Sequence, residues 1–182
     1  MSGPASGYAS AGTAPRARDP LPLFTLPNTH GRDVRLWDFK QRRPIVLLFI
    51  HGPQCTRCRE ALAALATRAN DLNDLHAAVL VIAHDSMDRL ARLREDMRLP
   101  FTFLSDADGS VAARYIPARM RTDGSRATAL FVADRYGECG LAATAAEATD
   151  LPDAAAILAE IAHGDEDTCA CLVPAWPVNP DA

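Results

Sequence analysis

The chain has 182 residues, 48% of them hydrophobic and 23% charged, with a formal net charge of −4. That length suits one domain able to bury about 70% of its unfolded surface, and the mildly acidic balance with scattered Lys and Arg excludes a basic nucleic-acid-binding face. No apolar run reaches the roughly 18 residues needed to span a bilayer, and the longest, IVLLFI, has the length of a strand, so no membrane partner is expected.

Residues 1–18, MSGPASGYASAGTAPRAR, lack the apolar middle of a secretory signal and carry too few periodic hydrophobes to fold, so they read as a disordered leader. A cytoplasmic location is expected, where standing disulfides are uncommon. The five cysteines (Cys55, Cys58, Cys139, Cys169 and Cys171) are then candidates for chemistry or metal binding rather than for structural bridges.

LPLFTLPNTHGRDVRLWDF predicts two short strands around a turn at Asn28–Arg32. After the polar linker KQRRP, IVLLFI is apolar without alternation, as in a central strand buried on both faces, and His51-Gly52-Pro53 ends it. From Cys58 onward a helix is expected, with Leu62, Leu65 and Ala66 on one face. AAVLVIAH is a second buried strand, and Asp85-Ser86 signals the cap of a helix carrying Leu90, Leu93 and Met97. LPFTFL is a short strand and SVAARYI a short helix. ATALFVADRYGECGLAATA folds back as a hairpin about Asp134–Gly137, and LPDAAAILAEIA closes the domain as a helix with Pro152 in its first turn. This order predicts an α/β domain over residues 19–163, its sheet parallel at the centre and flanked by helices on both faces. Residues 164–182, with three prolines and no periodicity, form an irregular tail.

FIHGPQCTRC places Cys55 and Cys58 where a buried strand passes into a helix, at the C-terminal edge of the sheet and near the positive end of a helix dipole. A thiolate is favoured over a thiol there, and Arg57 and Arg59 push the same way. The two-residue spacer lets the sulfurs close a small disulfide, so the pair suits two-electron redox chemistry. Two readings compete: inert packing, and a four-sulfur zinc site with Cys169 and Cys171, although C-A-C is tighter than the usual knuckle spacing. His51 lies within reach as a proton acceptor or as hydrogen-bonded scaffold, and His84, at the end of the next strand, reads as scaffold. Cys139, in the hairpin turn, packs rather than reacts.

LFTLPNTHGRDVRLWDF, LPFTFLSDADGSVAARYI and ALFVADRYGE together resemble the alkyl hydroperoxide reductase/thiol-specific antioxidant branch of the thioredoxin-like superfamily, over about residues 19–163. The resemblance implies a thioredoxin-like fold, a central mixed β-sheet with helices on both faces and an N-terminal β-hairpin, carrying thiol redox chemistry. The sequence departs from the peroxiredoxin motif P-x-x-x-T-x-x-C. With Cys58 as the peroxidatic cysteine, Cys55 stands where the threonine belongs, and Pro53 is too close to Cys58. The position of the family's arginine is Thr128, with Arg126 the nearest arginine. The same count puts Thr128 where thioredoxins carry a cis-proline, and a trans peptide is expected there because the cis form costs about 2.5–4 kcal/mol before a non-proline residue.

The expected function is therefore a thiol–disulfide oxidoreductase in which Cys55 attacks a protein or small-molecule disulfide and Cys58 resolves. The alternative is a thiol peroxidase in which Cys58 attacks a peroxide and Cys55, Cys169 or Cys171 resolves. A zinc-stabilised binding module is the third reading. No organic cofactor or resident metal is called for by the first two. A thioredoxin-type reductant is implied, in a monomer or homodimer.

Overall fold

The computed structural model describes residues 14–120 and 127–166. β1 (Thr25–Pro27) and β2 (Asp33–Arg35) pair antiparallel as the N-terminal hairpin. Asn28 closes its turn, its Oδ1 accepting from the backbone N–H groups of His30 and Arg32.

Five strands make the main sheet: β3 (Ile45–Ile50), β4 (Ala78–Ala83), β5 (Thr102–Ser105), β6 (Thr128–Ala133) and β7 (Cys139–Ala145), in the order β5-β4-β3-β6-β7. β3, β4 and β5 run parallel, whereas β6 and β7 are antiparallel additions, so the sheet is mixed. Every residue of β3, β4 and β6 is buried, as their unbroken apolar runs require.

The helices are α1 (Thr56–Ala66), α2 (Ala69–Asp74), α3 (Met87–Asp96), α4 (Ala112–Tyr115) and α5 (Ala154–Glu166). Both parallel crossovers step the same way across the sheet, and the right-handed rule then puts α1, α2 and α3 on one face. Leu62, Leu65, Leu72 and Leu90 pack there against Val46, Leu48 and Val81, joined by Ile157 and Ile161 of α5. Leu21, Phe24, Leu36 and Tyr115 cover the opposite face over Leu47, Phe49 and Phe131. Helices therefore lie on both faces, but unequally: the second has one short turn, and the N-terminal segment fills the remainder.

Three boundaries differ from expectation. The ordered chain reaches into the predicted leader, because Arg18 N–H donates to the Cys139 carbonyl and Cys139 N–H returns a bond to Asp19. Pro152 precedes the last helix rather than entering its first turn: Asp153 is the cap, its Oδ1 accepting from Ala156 N–H at 2.9 Å. α5 also runs through Gly164 to Glu166, past the predicted boundary at 163. Residues 1–13 of the leader, Arg126, and the tail with Cys169, Cys171 and Trp176 lie outside the described residues. Among the described residues no helix is long and apolar enough to cross a membrane.

Candidate active site

β3 delivers the chain to the sheet edge at Ile50, and residues 51–54 turn it into α1. Gly52 has φ 146°, a region that L side chains rarely adopt, and a Cβ there would lie 3.4 Å from Asp85 Oδ2. Cys55 is the N-cap of α1: its backbone is extended, and its Sγ accepts from Cys58 N–H at 3.3 Å. The helix thus begins two residues earlier than expected, because a cysteine sulfur fills the role usually taken by a Ser or Asp oxygen.

His51 Nδ1 sits 3.5 Å from Cys55 Sγ and 3.7 Å from Cys58 Sγ. One ring nitrogen therefore reaches both sulfurs. The two thiols live in different surroundings. Cys58 is 0% exposed, packed with Leu62 and Leu65 in the core of that face. Burial pushes its thiol up to about 12, helped by the hydrogen bond to and the charge of Cys55, while backbone hydrogen bonds from His51 and Gly52 pull the other way. Cys55 is only half-buried, packed at the margin of the same core. Its sulfur also receives an N–H from the first turn of the helix. The geometry supplies one half-buried sulfur, one fully sheltered sulfur, and an imidazole within reach of both.

The arginines play smaller parts than their proximity in sequence suggested. Arg57 turns away from the pair, donating to Thr149 Oγ1 at 3.4 Å and lying 3.8 Å from Glu147 Oε2. Arg59 folds back onto the turn, its Nη1 3.5 Å from the Pro53 carbonyl. Thr128 is fully buried and its hydroxyl donates to the Ala145 carbonyl, so it braces the β6–β7 hairpin instead of serving the sulfurs. The Ala127–Thr128 peptide is trans. Cys139 opens β7 on the opposite face of the sheet, its thiol bonded to the Leu141 carbonyl and pushed up to about 12 by burial.

Two features escaped the sequence reading. Asp85 signals a helix cap in the sequence, yet in the structure its carboxylate approaches Gly52 across the sheet edge. A cavity of about 190 Å³ opens at the same edge on the other face, lined by Ile50, His84, Asp106, Ile116 and Ala127 among others. Its polar anchor is Asp106, which accepts from Val111 N–H at 3.1 Å and Ala112 N–H at 2.7 Å. The SDADG turn that carries Asp106 was visible in the sequence, but nothing there showed that it folds inward.

The chain is 31% identical over 100 residues to Peroxiredoxin Bcp of Escherichia coli, which covers 55% of this chain and 64% of that protein. It spans less than two thirds of the length of the curated relatives matched here. Peroxidoxin BcpB from Mycobacterium tuberculosis superposes with a TM-score of 0.71 at 22% identity, over 81% of this chain and 96% of that one. A thiol peroxidase from Chromobacterium violaceum superposes with a TM-score of 0.68 at 25% identity, over 85% and 90%. These likenesses identify the fold as the thioredoxin-like fold of peroxiredoxins. Residues 17–138, more than half of the chain, match the AhpC/TSA family as a whole, and the chain belongs to that family.

Proposed function

We propose that the protein is a thiol-dependent peroxidase that reduces a hydroperoxide at the Cys55–Cys58 pair and is returned to its dithiol form by a thioredoxin-type reductant. Family membership and the peroxiredoxin relatives support this reading over the disulfide exchange first expected. The observation that carries the chemistry is the shared imidazole, with His51 Nδ1 3.5 Å from the half-buried sulfur and 3.7 Å from the sheltered one.

In this mechanism His51 accepts the Cys55 proton, and the thiolate attacks the distal oxygen of ROOH. An S–O bond forms, the O–O bond breaks, and the departing alkoxide takes a proton from the imidazolium to leave as ROH. Cys58 then attacks the sulfenic sulfur. The hydroxide expelled takes up the Cys58 proton and leaves as water, and a Cys55–Cys58 disulfide remains. Two thiols of the reductant restore the pair by exchange. The family's motif would assign the first attack to Cys58. Here the exposure and hydrogen bonding of the sulfurs favour Cys55.

Stopped-flow oxidation of the reduced protein by hydrogen peroxide and an organic hydroperoxide tests the reading. Oxidation orders of magnitude faster than that of a free cysteine thiol is expected. A rate equal to that of an ordinary thiol overturns it. Disulfide exchange with protein or small-molecule partners is then the surviving reading, favoured by a C-x-x-C pair whose first cysteine is half-buried and second buried.

A further inference from the structure

We propose that the reduced pair and His51 form a three-ligand site for a soft divalent ion, Zn²⁺, whose fourth position is open to solvent and whose occupancy masks the dithiol. This site differs from the four-sulfur arrangement considered from the sequence, since it needs no cysteine of the tail. It does not depend on which substrate the pair reduces.

The argument is geometric. Zinc binds sulfur at about 2.3 Å and imidazole nitrogen at about 2.0–2.1 Å, and a tetrahedral angle between them sets an S···N edge of about 3.6 Å. The two S···N distances here are 3.5 and 3.7 Å. All three donor atoms lie within 4.8 Å of one another, so a single ion can contact them together.

The charge balance is also favourable. Two thiolates, a neutral imidazole and Zn²⁺ sum to zero, which suits a site where Cys58 is wholly buried. Cys58 N–H already donates to Cys55 Sγ, the kind of outer hydrogen bond that orients a thiolate ligand. His51 and Cys55 are half-buried, which gives the ion a way in and leaves one side for water. Binding replaces two S–H protons with two S–Zn bonds and releases two protons per ion. A disulfide offers no thiolates, so zinc binding and oxidation exclude each other.

Titrating the reduced full chain with Co²⁺ under argon, then displacing it with Zn²⁺, tests the site. One equivalent should bind, with the visible bands of a tetrahedral thiolate-bound ion and two protons released. Cys55→Ser should abolish the bands, and His51→Ala should weaken affinity by at least about tenfold. The wild-type chain oxidised to its Cys55–Cys58 disulfide, folded but without thiolates there, should not bind. The double variant Cys169→Ser/Cys171→Ser should bind as the wild type does. The proposal is overturned if no stoichiometric ion binds, if His51→Ala leaves affinity unchanged, or if binding survives in the oxidised chain or is lost with the tail cysteines.

Discussion

Replacing Cys55 and Cys58 in turn by serine separates the attacking sulfur from the resolving one. Burial and the neighbouring Cys55 push the Cys58 thiol up to about 12, against 9.0 for an ordinary cysteine. At neutral pH its thiolate fraction is then lower by about 1000-fold. A more basic thiolate is a better nucleophile, with a Brønsted coefficient of about 0.4–0.5, which returns roughly 15- to 30-fold. The net deficit is about 30- to 60-fold before its complete burial is counted. Cys55→Ser removes the charge and the thiol partner that contribute to the shift, but burial, the largest cause, stays. Peroxide oxidation followed by stopped flow, with dimedone trapping of sulfenic acid and peptide mapping, reads both variants. Cys58→Ser should keep a rapid single turnover and accumulate the adduct on Cys55. Cys55→Ser should slow by about an order of magnitude or more, since the deficit of about 30- to 60-fold applies with Cys55 in place and burial alone remains in the variant. A Cys55→Ser protein that reacts at the wild-type rate with the adduct on Cys58 refutes the reasoning, and would mean that the first turn of α1 opens to expose it.

Three further outcomes follow from the same geometry. His51→Ala should slow peroxide oxidation by about 100-fold or more at neutral pH, because the only imidazole within reach of both sulfurs among the described residues is gone; an unchanged rate and pH profile would remove His51 from the mechanism. Gly52→Ala should cost about 1–3 kcal/mol, read as a lower denaturant midpoint, since an L residue is strained at φ 146°; an unshifted midpoint would show that the turn relaxes freely. The reduced protein should lose stability as pH rises from about 9 toward 12. Cys58 and Cys139 hold their protons in the folded state well above the value at which they release them when unfolded, and buried Tyr115 is likewise raised. The unfolded chain then binds fewer protons, so each thiol lowers the unfolding free energy by up to about 1.4 kcal/mol per pH unit across that window. Urea midpoints that stay flat from pH 8 to about 11 would contradict this.

Most of the fold was legible because its strands are apolar throughout and its turns carry strong punctuation. IVLLFI and AVLVIA could only be central strands, and Asn28 with Gly31 could only close a hairpin. What the sequence hid was burial across the first turn of α1. Leu62 and Leu65 were read as one face, yet the same period extended backward reaches Cys58 at i−4 and i−7, and all three are buried. A helix starting at Cys58 makes that residue a neighbour of Arg57 and Arg59, whereas a helix starting at Thr56 makes it a core position. The arginines misled for a related reason. Adjacency in sequence does not fix direction on a helix, and Arg57 points to Glu147 and Thr149. Thr128 was placed by counting from a motif, which gives position but not the Ala145 carbonyl that engages its hydroxyl.

In the proposed mechanism, the asymmetry of the pair also orders the two steps in time. An N-cap residue stands outside the helical spiral, and the residue three further on points back along it toward the core, so a C-x-x-C beginning at the cap divides its sulfurs between solvent and interior. While Cys55 carries charge, both that charge and its hydrogen bond help to keep Cys58 protonated. Conversion of Cys55 to a sulfenic acid removes the charge and weakens the acceptor. Two of the causes that raise Cys58 therefore fall away when it is needed as a nucleophile, and His51 Nδ1, 3.7 Å distant, is in place to pass its proton on to the departing hydroxide. On the proposed mechanism, burial holds the second thiol in reserve, and the product of the first step releases it.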